Sequence, residues 1–435
     1  MTHFRKLTAM VFLLSSALAA GLPAQERMTL QQFIDEAVRS SPAVQIVGEA
    51  VAGAELKVRE AKSLSLPQVS LTSSYTRISL TSEFDVPGMG RFKFSTPNNL
   101  TFRLGATEPV FTWGRIAKSV EMGRIGTSIA EDNVVLTKQT LAYQIVPIFY
   151  GVLFTREAVK VVDQTLDLLA KKLATLEERY KAGLASDFDL SLIKVQMGGL
   201  EAQKLDFENN VRKMFMAYNR VAGRPLEATF EPVGELKLEP VTADAQVLTA
   251  EAAASRPEAK QVADQRRLVQ AQMALARAGD KPNVLAAFNY QLQNGFLPSV
   301  NRIKGYWNAA LAVSVPVFDG RRTSAQVAQS EVALRTVEEQ SADLTRSFDL
   351  EIRQTLADLK TLELKIGIER NKIAHAERAL QIADERYQNG LISTTDLVEA
   401  QDSLDSARLN YLQLIYSHIL GRYNLLRAAG RTIHS

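Results

Sequence analysis

The stretch ERYKAGLASDFDL, Glu178 to Leu190, recurs as ERYQNGLISTTDL, Glu385 to Leu397, displaced by 207 positions (387 minus 180 for the tyrosines). Working outward, PVF at Pro109 to Phe111 recurs at Pro316 to Phe318 with the same displacement. Farther upstream Pro42 answers Pro257 and Pro67 answers Pro282, both displaced by 215. The change from 215 to 207 (a difference of 8) confines an eight-residue excess to one loop of the first copy, between Pro67 and Pro109. A period of roughly 200 residues is far longer than the ~20–50 residues of solenoid repeats, so each copy is a multi-element half of one architecture.

In both copies the motif closes a long helical run. Val159, Val162, Leu166, Leu169, Leu173, Leu176 and Tyr180 step by three and four, the spacing of a heptad seam. Adding 207 gives Ile366, Glu369, Ile373, Ala376, Leu380, Ala383 and Tyr387, with one charged exception. Gly183 and Gly390 stand where a left-handed residue ends a helix. Ser186-x-x-Asp189 and Ser393-x-x-Asp396 have the form of capping boxes that restart one, so the motif reads as the tip of a helical hairpin. At 1.5 Å per residue each long helix would be roughly 100 Å long. Pro147 is its one strong breaker in the first copy, where a kink rather than a stop is expected.

The pattern divides the chain into a leader (1–24), a first repeat (25–223), a proline-rich, non-periodic inter-repeat equatorial segment (224–243), a second repeat (244–431) and a tail (432–435). Helices are expected over about 29–63, 114–181 and 187–222, then over about 245–278, 320–388 and 394–429. Strands are expected over about 67–80 and 99–111, then over about 283–295 and 306–318. Trp307, Ala309, Leu311, Val313 and Val315 alternate with small or polar residues, and Leu100, Phe102, Leu104 and Ala106 do the same. That is the apolar-out, polar-in pattern of barrel strands. A half-buried strand of a soluble sheet alternates identically.

Composition excludes several classes. Basic and acidic residues nearly balance, 51 against 48, which gives no field suited to nucleic acid. There is no cysteine, which removes disulfides, thiolate metal sites and thiol nucleophiles. The four histidines, His3, His375, His418 and His434, have no metal-ligand spacing, and no acid, base and nucleophile converge in sequence, so neither an enzyme nor a cofactor is expected. The N-terminus carries Arg5 and Lys6, an apolar run from Met10 to Leu18 and then small residues, the form of a secretory signal peptide. No later stretch reaches the ~20 apolar residues of a spanning helix, so a membrane could be crossed only as a β-barrel. Four strands cannot close one, since the smallest need about eight. Membrane insertion therefore requires several copies.

Leader, two ~200-residue repeats, a strand pair per repeat, and long helices turning at Y-x-x-G-L-x-S-x-x-D together resemble the TolC-like outer-membrane efflux protein family. The resemblance covers essentially the whole chain after the leader. It implies a mixed α+β membrane protein, a homotrimer giving four strands per chain to a twelve-stranded β-barrel in outer-membrane lipid. Antiparallel coiled-coil helices would continue it as a periplasmic tunnel. It also implies docking to a periplasmic adaptor protein and an inner-membrane transporter of RND, ABC or MFS type, for efflux or type I secretion. Some members carry an acylated N-terminal cysteine, which this chain lacks.

By position, Gly183, Leu184, Gly390 and Leu391 would be the adaptor-docking tips. Ser186, Asp189 and Ser393 would cap the returning helices. Asp396 and Glu399, one turn apart on one helix face, match the acidic constriction that the family places at the periplasmic end. The first repeat has Leu192 where the second has Glu399. The competing reading is a soluble periplasmic coiled-coil adaptor or scaffold without a pore, which would share the leader and heptads but would not need paired strands at equivalent places.

Overall fold

The computed structural model describes residues 26–88, 90–93, 95–297 and 299–433. The leader read over 1–24 and the end of the tail lie outside them. In chain order the elements are β1 (Glu26–Met28), α1 (Leu30–Ser40), α2 (Pro42–Ser63), β2 (Gln68–Arg77), β3 (Glu83–Val86), β4 (Gly90–Lys93), β5 (Asn98–Phe111) and α3 (Arg115–Lys181). After the first motif come α4 (Asp187–Ala222), β6 (Phe230–Pro232), α5 (Ala245–Ser255), α6 (Pro257–Arg277), β7 (Asn283–Gln293), β8 (Lys304–Ser314), α7 (Arg322–Gln388) and α8 (Thr394–Ala428).

The two long helices α3 and α7 are each 67 residues and start 207 positions apart (322 minus 115). Pro147 lies inside α3 without ending it, and the Tyr416 hydroxyl donates to its carbonyl at 3.2 Å. Elsewhere proline changes the sequence reading. The helix expected over 29–63 is two helices, because Ser41 precedes Pro42 and is extended at ψ 126°. The helix expected over 245–278 breaks in the same way at Arg256, ψ 133°, before Pro257. A residue before proline is driven out of the helical region, while proline itself suits the first helical position. Strand β8 stops at Ser314, short of the expected 318, since Pro316 has no N–H for a ladder. Its counterpart Pro109 is kept inside β5 at a register shift between Pro109 and Phe111, a bulge where proline is tolerated. The loop that holds the eight-residue excess is a hairpin, β3 paired antiparallel with β4 around Gly88 and Gly90, both at positive φ.

The chain forms two compact units, and each takes elements from both repeats. One unit comprises residues 26–46, 134–257 and 345–433 among those described. Its largest core gathers α1, α3, α4 and the short parallel pair β1–β6. Phe33, Phe149, Tyr218 and Phe230 are fully buried there. The Phe33 ring stacks on Tyr218 with centroids 3.8 Å apart and meets Phe230 edge-on at 4.5 Å. The duplication gives this unit twin joints. Ser40 donates to the Ala222 carbonyl at 2.7 Å, and Ser255 donates to that of Ala429 at 3.3 Å. Gly223 and Gly430 end the returning helices at φ +67° and +75°; a Cβ on Gly430 would lie 2.5 Å from the Ser255 hydroxyl, so no other residue fits.

The other unit, residues 47–133 and 258–344, holds the four-stranded antiparallel sheet in the order β2-β5-β7-β8. The central pairing β5–β7 joins the two repeats, and β2 and β8 are left as edges. Cross-strand rows sort the residues by face. Leu71–Leu104–Tyr290–Trp307 and Val69–Ala106–Phe288–Ala309 form one face. Ser70–Gly105–Asn289–Asn308 and Thr72–Arg103–Gln291–Tyr306 form the other. On the polar face Arg103 donates to Gln291 at 3.1 Å and Asn289 to Asn308 at 3.1 Å. On the apolar face Leu71 is 72 % and Leu311 69 % exposed. A soluble sheet would cover such a face against a core; among the described residues nothing in this chain covers it.

Candidate functional site

The hairpin tips are built by local backbone chemistry. At the end of α3 the Leu184 N–H bonds the Arg179 carbonyl at 2.8 Å and the Gly183 N–H bonds that of Tyr180 at 2.9 Å. The second tip repeats this with Leu391 to Arg386 at 2.9 Å and Gly390 to Tyr387 at 3.0 Å. These are Schellman closures, which require a left-handed residue after the helix; Gly183 and Gly390 supply it at φ +72° and +70°. Open space surrounds both glycines, so a side chain there would be strained by backbone conformation and not by collision. Leu184 and Leu391 follow at 78 % and 71 % exposure and pack against nothing in the chain's own cores.

The returning helices begin at Ser186 and Ser393. Each serine accepts from the N–H of the aspartate three residues on, and each aspartate accepts from the serine N–H in return. Asp396 receives the Ser393 hydroxyl at 2.7 Å and its N–H at 2.9 Å. These bonds hold the Asp396 carboxyl below its ordinary range, with the Ser393 hydroxyl as the main cause. Asp189 is lowered likewise, chiefly by Ser186 and then by Thr394. Asp396 is thus engaged in capping while its side chain stays exposed. Glu399, one turn on, is exposed.

Behind these two acids the structure adds a pair that sequence reading passed over. Asp402 and Asp405 continue the spacing of three along α8, but successive members turn progressively into the packing. Asp402 accepts from Gln196 of α4. Asp405 is buried and accepts from Thr165 of α3 at 2.9 Å and from Gln401 at 3.0 Å. The run therefore changes from exposed at the tip to a buried polar clasp joining α8 to α3 and α4. Burial pushes both carboxyls above their ordinary range; for Asp402 the charges of Asp405 and Glu399 add to it, and for Asp405 the bonds from Gln401 and Thr165 work against it. The spacing 396, 399, 402, 405 was visible in the sequence, and only burial distinguishes its two halves.

The sign of the resulting pH dependence follows. A carboxyl raised in the fold favours folding when protonated, and that contribution is lost as pH rises through the raised value. The capping pair acts oppositely, contributing above the ordinary carboxylate range and failing as pH falls through the lowered one. Asp405→Asn, which removes the charge and keeps one acceptor oxygen for the donors Thr165 and Gln401, is expected to be more stable than wild type at neutral pH and to lose part of the decline in stability between mildly acidic and neutral pH. Thermal unfolding across that range measures it; equal slopes for the two proteins would mean that Asp405 is not ionised at a cost.

Among the described residues no group of three His, Asp or Glu side chains is placed to hold a metal, and no helix is long and apolar enough to cross a membrane. A sequence profile of the outer membrane efflux protein family matches residues 33–223 and 248–431. The chain belongs to that family. It is an outer-membrane protein with an efflux-channel fold and not an enzyme. The cation efflux system protein CusC of Escherichia coli K12 is 22% identical over 414 residues, covering 92% of this chain and 87% of CusC. The pyoverdine export outer membrane protein OpmQ of Pseudomonas aeruginosa is 22% identical over 335 residues, 75% of this chain and 69% of OpmQ. Among solved structures, the outer membrane protein VceC of Vibrio cholerae superposes with a TM-score of 0.74 at 20% identity, covering 93% of this chain and 97% of VceC. The family fold places the bare apolar face of the sheet against lipid and the helical part in the periplasm.

Proposed function

We propose that this outer membrane efflux protein works as a homotrimeric exit duct that docks through its helical tips to a periplasmic adaptor and, with it, to an inner-membrane transporter. The observation that carries the reading is the four-stranded sheet with two free edges and a bare apolar face. Lipid does not tolerate open sheet edges. Two copies would make eight strands, a width that side chains fill; three make twelve and leave an aqueous bore. Heat-modified gel mobility of outer-membrane fractions, with conductance in planar bilayers, tests it: a soluble monomer, or trimers that conduct no ions, would overturn it.

The tips are the adaptor-docking surface in this reading, since two exposed leucines project from rigid Schellman closures. Leu184→Asp/Leu391→Asp is expected to lower export at least tenfold with trimer yield unchanged. Loss of trimers instead would assign the leucines to folding.

The acids at the periplasmic end are the gate. In a trimer Asp396 and Glu399 would form two stacked rings of three carboxylates. Neighbouring charges ~6 Å apart in water repel by only about 0.7 kcal/mol, too little to open a packed tip, but six converging acids attract cations. Asp396→Asn/Glu399→Gln, chosen to keep an acceptor in the capping box, is expected to shift the reversal potential under a salt gradient toward zero and to weaken block by a trivalent cation at least tenfold. Unchanged selectivity and block would leave Asp396 a capping residue and Glu399 a solvated acid. The cargo then follows from the partner transporter; CusC and OpmQ, whose names specify cations and pyoverdine, support a duct whose own lining does not choose it.

A further inference from the structure

The apolar face of the sheet carries one feature that a lipid-facing surface should not have. Leu104, Ala106 and Glu108 alternate onto the same face of β5, so a carboxylate stands among apolar side chains. Glu108 is exposed, and no described cation pairs with it. Its cross-strand neighbours toward β7 and β8 are Ala286 and, beyond that, Leu311, and on the β2 side Pro67 lines the same groove, so no base borders the groove beside it. Strand β5 is interior, between β2 and β7. A second copy can join only at β2 or β8, so oligomerisation brings no counter-charge directly alongside it.

Beside Glu108 lies a groove of about 520 Å³ on the sheet. Ala106, Ala286 and Ala309 make it shallow where their neighbours Phe288 and Leu311 stand tall. Glu108 borders it on the side toward α3. Three residues on, about 10 Å along the strand, the Phe111 ring meets Trp113 edge-on at 5.3 Å, both half exposed. Exposed aromatics at a strand end mark the level of the lipid headgroups. The carboxylate is therefore within reach of the headgroup layer of the periplasmic leaflet, with an apolar groove running from it toward the bilayer interior.

We propose that this groove is a binding site for a glycerophospholipid whose headgroup bears a primary ammonium, the ammonium paired with Glu108 and an acyl chain lying over Ala106, Ala286 and Ala309. A charge-assisted hydrogen bond needs an N–H donor. A primary ammonium provides three, a quaternary ammonium none, and a headgroup whose only charge is phosphate is repelled. The proposal rests on the family's placement of this face in the membrane and goes beyond the duct reading.

The test is native mass spectrometry of the protein reconstituted with equimolar phosphatidylethanolamine, phosphatidylglycerol and phosphatidylcholine. Wild type is expected to retain the ethanolamine lipid at least fivefold over the other two. Glu108→Gln should reduce that preference below twofold, and Ala309→Phe, which fills the groove, should cut retention of all three lipids with oligomer yield unchanged. Equal retention by wild type, or a preference untouched by Glu108→Gln, would overturn the site while leaving the membrane reading intact. Protein that never enters a bilayer would overturn both, through the membrane reading.

Discussion

Ala309→Arg is expected to abolish membrane-inserted oligomers, whereas Ala310→Arg, one residue along, leaves them at wild-type yield. The two alanines sit mid-strand in β8 on opposite faces, Ala309 in the row with Phe288 and Ala310 in the row with Ala287. An arginine facing lipid near the bilayer centre costs about 2–4 kcal/mol per site, and a threefold assembly carries it three times, about 6–12 kcal/mol. On the polar face the same side chain enters water and joins Arg103 and Tyr306. Outer-membrane fractions run on gels with and without heating give the measurement. Yields reversed between the two variants would mean that the faces have been assigned the wrong way round, and equal yields would overturn the strand's placement in lipid.

Phe33→Ala is expected to cost about 3–5 kcal/mol, the range for emptying a large buried aromatic site. Phe33 has no exposed surface and contacts three other rings, on α3, α4 and β6. Those neighbours are themselves fixed: Tyr218 donates to the Phe33 carbonyl at 3.1 Å and to Glu36 at 2.9 Å, so the cavity cannot collapse freely. Phe33→Leu should cost less than half as much. Urea unfolding of the purified protein, followed by Tyr and Trp fluorescence, reads both variants. A loss under about 1 kcal/mol for the alanine variant would show that the ring cluster is not what ties α1 to α3 and α4.

The features legible in sequence were those whose cause is local or periodic. The tips could be read because a glycine in a Schellman closure and a serine with an acid three residues on are short-range chemistry. The strands could be read because lipid on one side and polar groups on the other impose alternation. Pro42 and Pro257 marked the repeat but not the helix breaks, since a proline at a first helical turn and one inside a helix look alike until the preceding residue is seen to be extended. Strands β1 and β6 are three residues each and pair across 204 positions, Glu26 with Phe230, so no window of sequence contains them. The compact units could not be read from the sequence: β5 pairs with β7 far along the chain, and that choice is made by the whole sheet. Asp402 and Asp405 have the residue type and spacing of Asp396 and Glu399, and only the approach of Thr165 and Gln196 separates them.

The free edges of β2 and β8 have a consequence for the life of the chain before assembly. Each presents about ten residues of unpaired backbone beside an exposed apolar face, the arrangement that recruits foreign strands and seeds aggregates. Natural sheets blunt such edges with charges, bulges or prolines, but here Arg77 and Pro67 flank β2 and Lys304 and Pro316 flank β8, so only the ends of each edge are guarded, and the bulge at Pro109 lies on interior β5. Protection by sequence would defeat the joining that the edges exist to make. A newly exported copy must therefore be shielded by other proteins or meet its own kind quickly, and its yield should fall when export outruns either.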